Sequence, residues 1–145
     1  MDVSIKIKFA DEKIKFERVI TNLMNQNWRL RKAEETVEYL PENDREMFNW
    51  EKKKISDSDL FMLFERKQKS EEVTGVNLYF DESEYGGQIL FFKDGTLIMT
   101  PIHRKRLEIK GNMSDNTDAN WYFSNFVMCL LDMPIEYYQF EEVYL

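Results

Sequence analysis

The stretch from Val76 to Ile102 constrains the fold most, because three short apolar runs there are separated by turn residues. Each run is rich in β-branched and aromatic residues, which favour strands. Asp94-Gly95 is a strong hairpin signal, since the two central positions of a tight hairpin turn require positive φ angles that Asp and Gly tolerate. Glu84–Gly87 supplies a looser turn before it. The stretch therefore predicts a three-stranded antiparallel meander at the centre of the core.

The residues at the start of the chain predict one strand and one helix. Apolar and polar residues alternate from Val3 to Phe9, which is typical of a half-buried strand. Apolar residues then recur at helical spacing from Phe16 to Met24, which predicts an amphipathic helix with Asp11 as a plausible N-cap. A second strand over residues 13–16 is the alternative.

The next two segments predict further strands. A turn signal at Pro41–Asp44 favours a hairpin that places the region Glu34–Glu38 near Lys52–Lys54, at an edge of the sheet. Residues 57–67 are ambiguous, because Ser56 or Asp57 could cap a short helix there. Five consecutive apolar residues inside this segment favour a buried strand.

The last third of the chain predicts a short strand, a loop, a helix and an extended terminal element. Leu107 and Ile109 alternate as in a strand. The polar loop that follows offers three possible helix caps, namely Ser114, Asp115 and Thr117. Residues 120–132 predict a helix that is apolar over much of its circumference and therefore buried on more than one side. Pro134 ends that helix, and residues 135–145 predict the extended element.

Together these elements predict a single α+β domain over residues 1–145. An antiparallel sheet of about six or seven strands would carry two helices packed on one face. A chain of 145 residues is long enough to bury a self-sufficient core. Glycine and proline are scarce, with 5 and 3 residues, so no long flexible linker is expected.

The distribution of charge is more informative than the net charge of −7. All 20 lysine and arginine residues precede Gly111, whereas six acidic residues follow it. An acidic chain is a poor generic ligand for nucleic acid, so we expect no direct nucleic-acid binding. The acidic last quarter is either a solvated face or a docking surface for a basic partner.

The cysteine content and the first residues indicate a reducing compartment. Cys129 is the single cysteine, so no internal disulfide can form. The first residues alternate between charged and apolar types, unlike a signal peptide, and no apolar run approaches the length of a membrane span. The expected location is the cytoplasm, without membrane association.

Residues that could bind a metal or a cofactor are sparse. With His103 and Cys129 each the single residue of its type, a zinc site is not expected. Asp57 with Asp59, and Asp81 with the glutamates that follow it, are weak candidates for a carboxylate-bound cation. No glycine-rich phosphate loop occurs. We therefore expect no metal and no cofactor, and a non-catalytic protein.

The carboxy-terminal segment is the principal candidate site, because tyrosines there interleave with glutamates. Tyrosine gives a large contact area at a low entropy cost and is enriched at interfaces. The alternative is a last strand with one buried face. A second candidate is the turn between the first two strands of the meander. The first set is Glu136, Tyr137, Tyr138, Glu141, Glu142 and Tyr144. The second set is Asp81, Glu82, Glu84 and Tyr85.

In length, acidity, cysteine content and lack of catalytic motifs, the chain resembles bacterial immunity proteins that neutralise toxin domains. The resemblance rests on general character rather than on a motif. It implies a cytoplasmic inhibitor that occludes a basic toxin domain, such as a nuclease, by placing acidic and aromatic side chains in its cleft.

Two other functions remain open. One is a regulatory or structural interaction module, for example a phage-encoded one, that self-associates through the sheet edge near Met47–Lys54; the sequence leaves a monomer and a homodimer equally open. The other is a small enzyme that uses paired carboxylates, which would require two acidic side chains in a deep pocket.

Overall fold

The computed structural model describes residues 2–144, which form one α+β fold on a large antiparallel sheet. In chain order the elements are β1 (Asp2–Phe9), α1 (Phe16–Met24), β2 (Trp28–Arg29), β3 (Val37–Tyr39), β4 (Glu51–Lys53), α2 (Asp57–Lys69), β5 (Thr74–Phe80), β6 (Gly86–Phe91), β7 (Thr96–Ile102), β8 (Arg106–Ile109), β9 (Asn112–Thr117), α3 (Ala119–Asn125), a short 3₁₀ helix (Val127–Leu130) and β10 (Ile135–Val143). The main sheet runs β10-β1-β7-β6-β5-β3-β4, with β2 beside β5. Strands β8 and β9 form a separate hairpin.

The predicted meander is confirmed as β5, β6 and β7 at the centre of the sheet. Its second turn differs from the predicted two-residue type. Phe92 N–H donates to the carbonyl of Thr96 at 2.8 Å, so three residues form the loop, and within it only Gly95 has a positive φ, of 86°. Asp94 stabilises the loop by accepting a hydrogen bond from Thr96 N–H at 3.0 Å.

The three helices pack on one face of the main sheet, as predicted for the helical layer. This face carries the buried side chains of the four central strands, and α1 buries its predicted apolar stripe against them. Phe16 of α1 stacks on Phe91 of β6, with ring centroids 5.5 Å apart, and meets Phe64 of α2 edge-on at 4.7 Å. Within residues 2–144, no helix is both long enough and apolar enough to span a membrane.

The preferred strand over residues 57–67 is wrong, because this segment lies in α2. Ser56 caps the helix by accepting a hydrogen bond from Asp59 N–H at 3.1 Å. The side chains of Leu60, Leu63, Phe64 and Lys67 are buried at helical spacing. The run of five apolar residues hid this spacing, because two residues on the helix flanks are also apolar.

The proposed helix caps at either end of the chain are also wrong. Helix α1 begins at Phe16, and Asp11 instead accepts a hydrogen bond from Lys13 N–H in a preceding turn. Asp118 caps α3 by accepting from Trp121 N–H at 3.1 Å. The three proposed caps lie on β9, where a loop was expected; they are Ser114, Asp115 and Thr117.

The predicted single helix over residues 120–132 is two shorter elements. Helix α3 ends at Asn125, and the 3₁₀ helix follows with a different rotation per residue. As a result Leu130 is fully buried, whereas Leu131 is 47% exposed.

The predicted edge hairpin is confirmed as β3 and β4. Val37 pairs with Lys53 and Tyr39 with Glu51, and β4 lies at the edge of the sheet. The expected charge contacts are present, because Lys52 lies 2.9 Å from Glu34.

Candidate protein-interaction site

Strand β10 carries most of the first candidate set and forms the edge of the main sheet opposite to β4. It pairs antiparallel with β1, from Asp2 with Val143 to Phe9 with Ile135. Between Phe9 and Lys8 the register shifts, so that Glu136 is an extra residue on β10. This β-bulge distorts only the start of the strand, and the pairing is regular from Tyr137 onwards.

The tyrosines of the first set are exposed and lie on both faces of the sheet edge. Tyr137 is 43% exposed, and its ring lies 5.9 Å from the ammonium group of Lys6. Tyr138 is 49% exposed and points to the helical layer, where its ring centroid lies 5.3 Å from that of Phe123. Tyr144 is 61% exposed and its hydroxyl is hydrogen-bonded to Asn116 of β9. The alternative, a last strand with one buried face, describes β10 in part, because Phe140 packs against the core on the helical face while these tyrosines stay exposed.

The glutamates of this set fall into two groups. Glu136 and Glu141 are exposed. The side chain of Glu142 is only 16% exposed, and its carboxylate lies 3.7 Å from Arg104. The same carboxylate accepts hydrogen bonds from the backbone N–H and the hydroxyl of Thr117, at 2.9 Å and 2.8 Å. Glu142 therefore connects β10 to the β8–β9 hairpin, and its carboxylate is little exposed to a partner.

Two arginines at the start of the β8–β9 hairpin, Arg104 and Arg106, pair with acidic residues of the same chain. Arg104 contacts Glu142, and Arg106 lies 3.1 Å from Asp115 on β9. The arginine contacts also include backbone carbonyls of β9, such as that of Asp115 at 2.7 Å from Arg104. Both arginines are therefore paired within the chain.

The second candidate set occupies the β5–β6 turn. Asp81 has a φ of 49° and its side chain lies 3.2 Å from Arg29, whereas Glu82 lies 3.7 Å from the same guanidinium. These pairs are exposed, and such pairs contribute little to stability. Tyr85 contacts Trp121, with ring centroids 5.6 Å apart, and Glu84 is exposed.

Only the last residues of the first set lie at the sheet end that carries the second set, and the two sets do not form one cluster. The pairing of Asp2 with Val143 and of Gly86 with Ile102 brings the end of β10 and the β5–β6 turn to one sheet end. Strands β1, β7 and β6 separate β10 from β5, a spacing on the order of 19 Å at about 4.8 Å per strand. The β8–β9 hairpin contacts both sets, through Asn116 at Tyr144 and through Lys105 at Tyr85.

Tyr122 holds the base of this hairpin. Its hydroxyl accepts a hydrogen bond from Lys105 N–H at 2.8 Å, and the residue is 1% exposed. Burial raises the pKa of Tyr122 to about 12, because the phenolate form would lose its hydration. The residue positions the hairpin and is neutral at physiological pH.

Four apolar side chains are exposed although the sequence pattern did not predict it. Met128 and Leu131 lie in or directly after the 3₁₀ helix and are 52% and 47% exposed. Ile109 and Met113 project from the β8–β9 hairpin at 48% and 50%. The change from α to 3₁₀ geometry, which exposes Leu131, leaves no periodic signal in the sequence.

A cavity of about 530 Å³ lies elsewhere, between the start of α1, the end of α2 and the β6–β7 turn. Its charged lining alternates in sign, and Lys69 pairs with Glu65 at 3.3 Å while Lys93 pairs with Glu71 at 3.8 Å. Over residues 2–144, no group of three or more His, Cys, Asp or Glu side chains is arranged to hold a metal ion.

Comparison of the chain with protein-family models, with curated proteins and with solved structures found no match.

Proposed function

We propose that this chain is a non-catalytic binding protein that inhibits a basic protein partner, in the manner of bacterial toxin-immunity proteins. The observation that supports this proposal is the edge strand β10, which presents Tyr137 and Tyr138 with the exposed carboxylates of Glu136 and Glu141. Exposed aromatic side chains beside exposed acids can bind a partner of opposite charge.

The proposed mechanism is occlusion of the partner's functional cleft. The acidic surface would speed the encounter with a basic domain, because complementary charges steer association. Desolvated tyrosine rings would then slow dissociation, since aromatic side chains dominate the binding energy of many interfaces. A nuclease domain is the partner class that fits best, because its cleft binds phosphate and carries positive charge. Cytoplasmic location is part of the same proposal.

Co-expression with a toxin tests this proposal. A basic toxin domain encoded next to this chain would be expressed in bacteria with and without it, and growth would be measured. We expect the chain to restore growth. The double change Glu136→Lys and Glu141→Lys would weaken rescue and reduce the salt dependence of the association rate of the purified proteins.

The matched control is the double change Glu17→Lys and Glu46→Lys. It also reverses the charge of two exposed acids, but these lie in α1 and in the β3–β4 connection, away from β10. Rescue by the control but not by the β10 variant would support the proposal. Equal rescue by both variants, with both proteins folded, would contradict it.

A self-associating interaction module is the second candidate. The observation in its favour is the exposure of Met47 and Phe48, at 69% and 42%, directly before the edge strand β4. Light scattering of the purified protein separates the two functions. A stable homodimer that Met47→Lys and Phe48→Lys dissociate would favour the module, whereas a monomer would favour the inhibitor.

A further inference from the structure

We propose that β10 binds its partner by strand addition, so that an extended basic segment of the partner becomes the next strand of the main sheet. This inference rests on the proposed function, because it specifies how the same edge would recognise a basic protein. In strand addition, backbone hydrogen bonds along β10 contribute to binding in addition to charge attraction.

The backbone of β10 is oriented for such pairing. Phe9 N–H donates to the carbonyl of Gly95, which directly precedes β7. The N–H of the next residue, Ala10, donates to the carbonyl of Pro134, which directly precedes β10. Successive residues of a strand direct their N–H and C=O groups to opposite sides. Lys8 and Lys6 of β1 therefore face β10 and pair with Tyr137 and Gln139.

The residues that alternate with Tyr137 and Gln139 along β10 therefore direct their backbone N–H and C=O groups away from β1. Tyr138 and Phe140 direct N–H and C=O outward, at the edge of the sheet. In the part of the chain that the structure describes, β10 pairs with β1 alone. An extended segment could satisfy these groups in the geometry of an ordinary β ladder.

The two edges of the sheet differ in the features that discourage edge pairing. Strand β4 has three residues, and Lys52 and Lys53 make it a short edge rich in lysine, which is a common protection against aggregation. Strand β10 has nine residues and contains no lysine, arginine or proline. The bulge at Glu136 disturbs the pairing only at the start of β10. An edge of this length that lacks lysine and proline is suited to a docking strand.

Charge complementarity identifies the occupant as a basic segment. Glu141 and Tyr137 lie on the open face of the sheet, since they pair with Ser4 and Lys8 of β1, whose side chains point away from the helices. Tyr137 and Glu141 lie roughly 13 Å apart along the strand, so two cations of an added strand would be needed, one opposite Glu141 and one next to the ring of Tyr137. Cross-strand pairs of opposite charge and cation–π contacts both favour this arrangement.

A second copy of the chain fits this edge less well. Pairing of β10 with β10 brings two copies of Glu136 and Glu141 to one seam, and neither strand supplies a cation. Like charges on neighbouring strands are destabilising. The occupant is therefore a different, basic chain.

A synthetic peptide tests the mode of binding without the natural partner. The probe is a capped nonapeptide, Lys-Val-Lys-Thr-Val-Thr-Lys-Val-Lys, titrated into the full chain while amide hydrogen exchange is followed residue by residue. We expect the peptide to slow exchange at the outward amides of Tyr138 and Phe140. The neighbouring amides of Tyr137 and Gln139, which already bond to β1, would change little.

Two comparisons isolate the backbone contribution. A peptide of the same sequence with N-methyl groups on alternate residues keeps its charge but cannot complete the ladder. We expect it to bind at least about tenfold more weakly, because each lost backbone hydrogen bond contributes roughly a factor of five. Tyr138→Pro in the protein removes one outward N–H and no bond to β1, and should also abolish the protection. Tyr138→Ala, the matched control, keeps the N–H and should retain the alternating protection at lower affinity.

Other outcomes overturn the inference. Equal binding of the two peptides, or binding without protection at Tyr138 and Phe140, would show attraction by charge alone and would leave the proposed function standing. Strand addition would also be overturned if the unmodified peptide did not bind. The same holds if, without any peptide, the protein formed a homodimer that protects these amides. Loss of toxin rescue with intact peptide protection would instead contradict the proposed function.

Discussion

The carboxylate of Glu142 lies 3.7 Å from the guanidinium of Arg104 and accepts two hydrogen bonds from Thr117. These contacts connect the end of β10 to the β8–β9 hairpin. Glu142 therefore differs in role from Glu141, its exposed neighbour, although the two are indistinguishable in the sequence.

Replacement of Glu142 should destabilise the fold, whereas replacement of Glu141 should not. We expect Glu142→Gln to lower the free energy of unfolding by about 1–2 kcal/mol, because it weakens charge-assisted hydrogen bonds in a partly buried site. Glu141→Gln should change it by about 0.5 kcal/mol or less, as at an ordinary surface position. Urea unfolding at neutral pH measures both values. Equal values for the two variants would contradict this assignment.

Tyr122 should make the stability of the fold fall at alkaline pH. Its pKa is raised to about 12 in the folded protein, above the value of about 10 expected in the unfolded chain. The folded state therefore binds more protons between these pH values, and the free energy of unfolding decreases as pH rises through them. Tyr122→Phe should remove this contribution and should also cost about 1 kcal/mol at pH 8, because Lys105 N–H loses its acceptor.

The test is a series of urea unfolding curves for both proteins from pH 8 to pH 11.5. The difference in stability between wild type and variant should shrink towards the upper end of this range. A difference that stays constant with pH would show that Tyr122 does not titrate as its burial requires.

Two adjacent leucines after α3, where the geometry changes from α to 3₁₀, differ in burial and should therefore differ in their contribution to stability. Leu130→Ala should lower the free energy of unfolding by about 2–5 kcal/mol, because the side chain is fully buried. Leu131→Ala should cost less than about 1 kcal/mol, since that side chain is 47% exposed. Thermal or urea unfolding distinguishes them, and similar losses would indicate a continuous helix with both residues inside.

The cap of α2 gives a direct test of the segment whose sequence fits both a strand and a helix. Ser56→Ala should destabilise the protein by about 1 kcal/mol, because Asp59 N–H loses the hydroxyl that accepts its hydrogen bond. Ser58→Ala, within the first turn and exposed, is the control and should have little effect. A strand in this segment would make the two substitutions equivalent.

Sequence reasoning was most successful where a periodic pattern was reinforced by turn chemistry. The alternation from Val3 to Phe9 predicted β1, and the runs around Gly95 predicted the meander, because side chains that alternate between two environments leave a period of two. Among the tyrosines of the two candidate sets, Tyr137, Tyr138 and Tyr144 are exposed and Tyr85 is half-buried, and their role in binding a partner stays a prediction.

The features that the sequence did not predict depend on contacts between distant residues. The inward side of α2 includes Lys67, which is fully buried and donates to the backbone carbonyls of Leu40 and Pro41. A lysine at a core position breaks the apolar stripe that identifies a helix. Similarly, the engagement of Glu142 depends on Arg104, whose position follows only from the complete topology.

The pairing of β1 with β10 has a consequence for how the protein forms. Ile5 lies beside Phe140, so the chain must be synthesised beyond residue 140 before β1 acquires its second neighbour. Closing so long a loop carries a large entropic cost and delays the last step of assembly. During synthesis on the ribosome, one side of β1 would therefore stay unpaired, and any molecule able to pair with it would compete with β10.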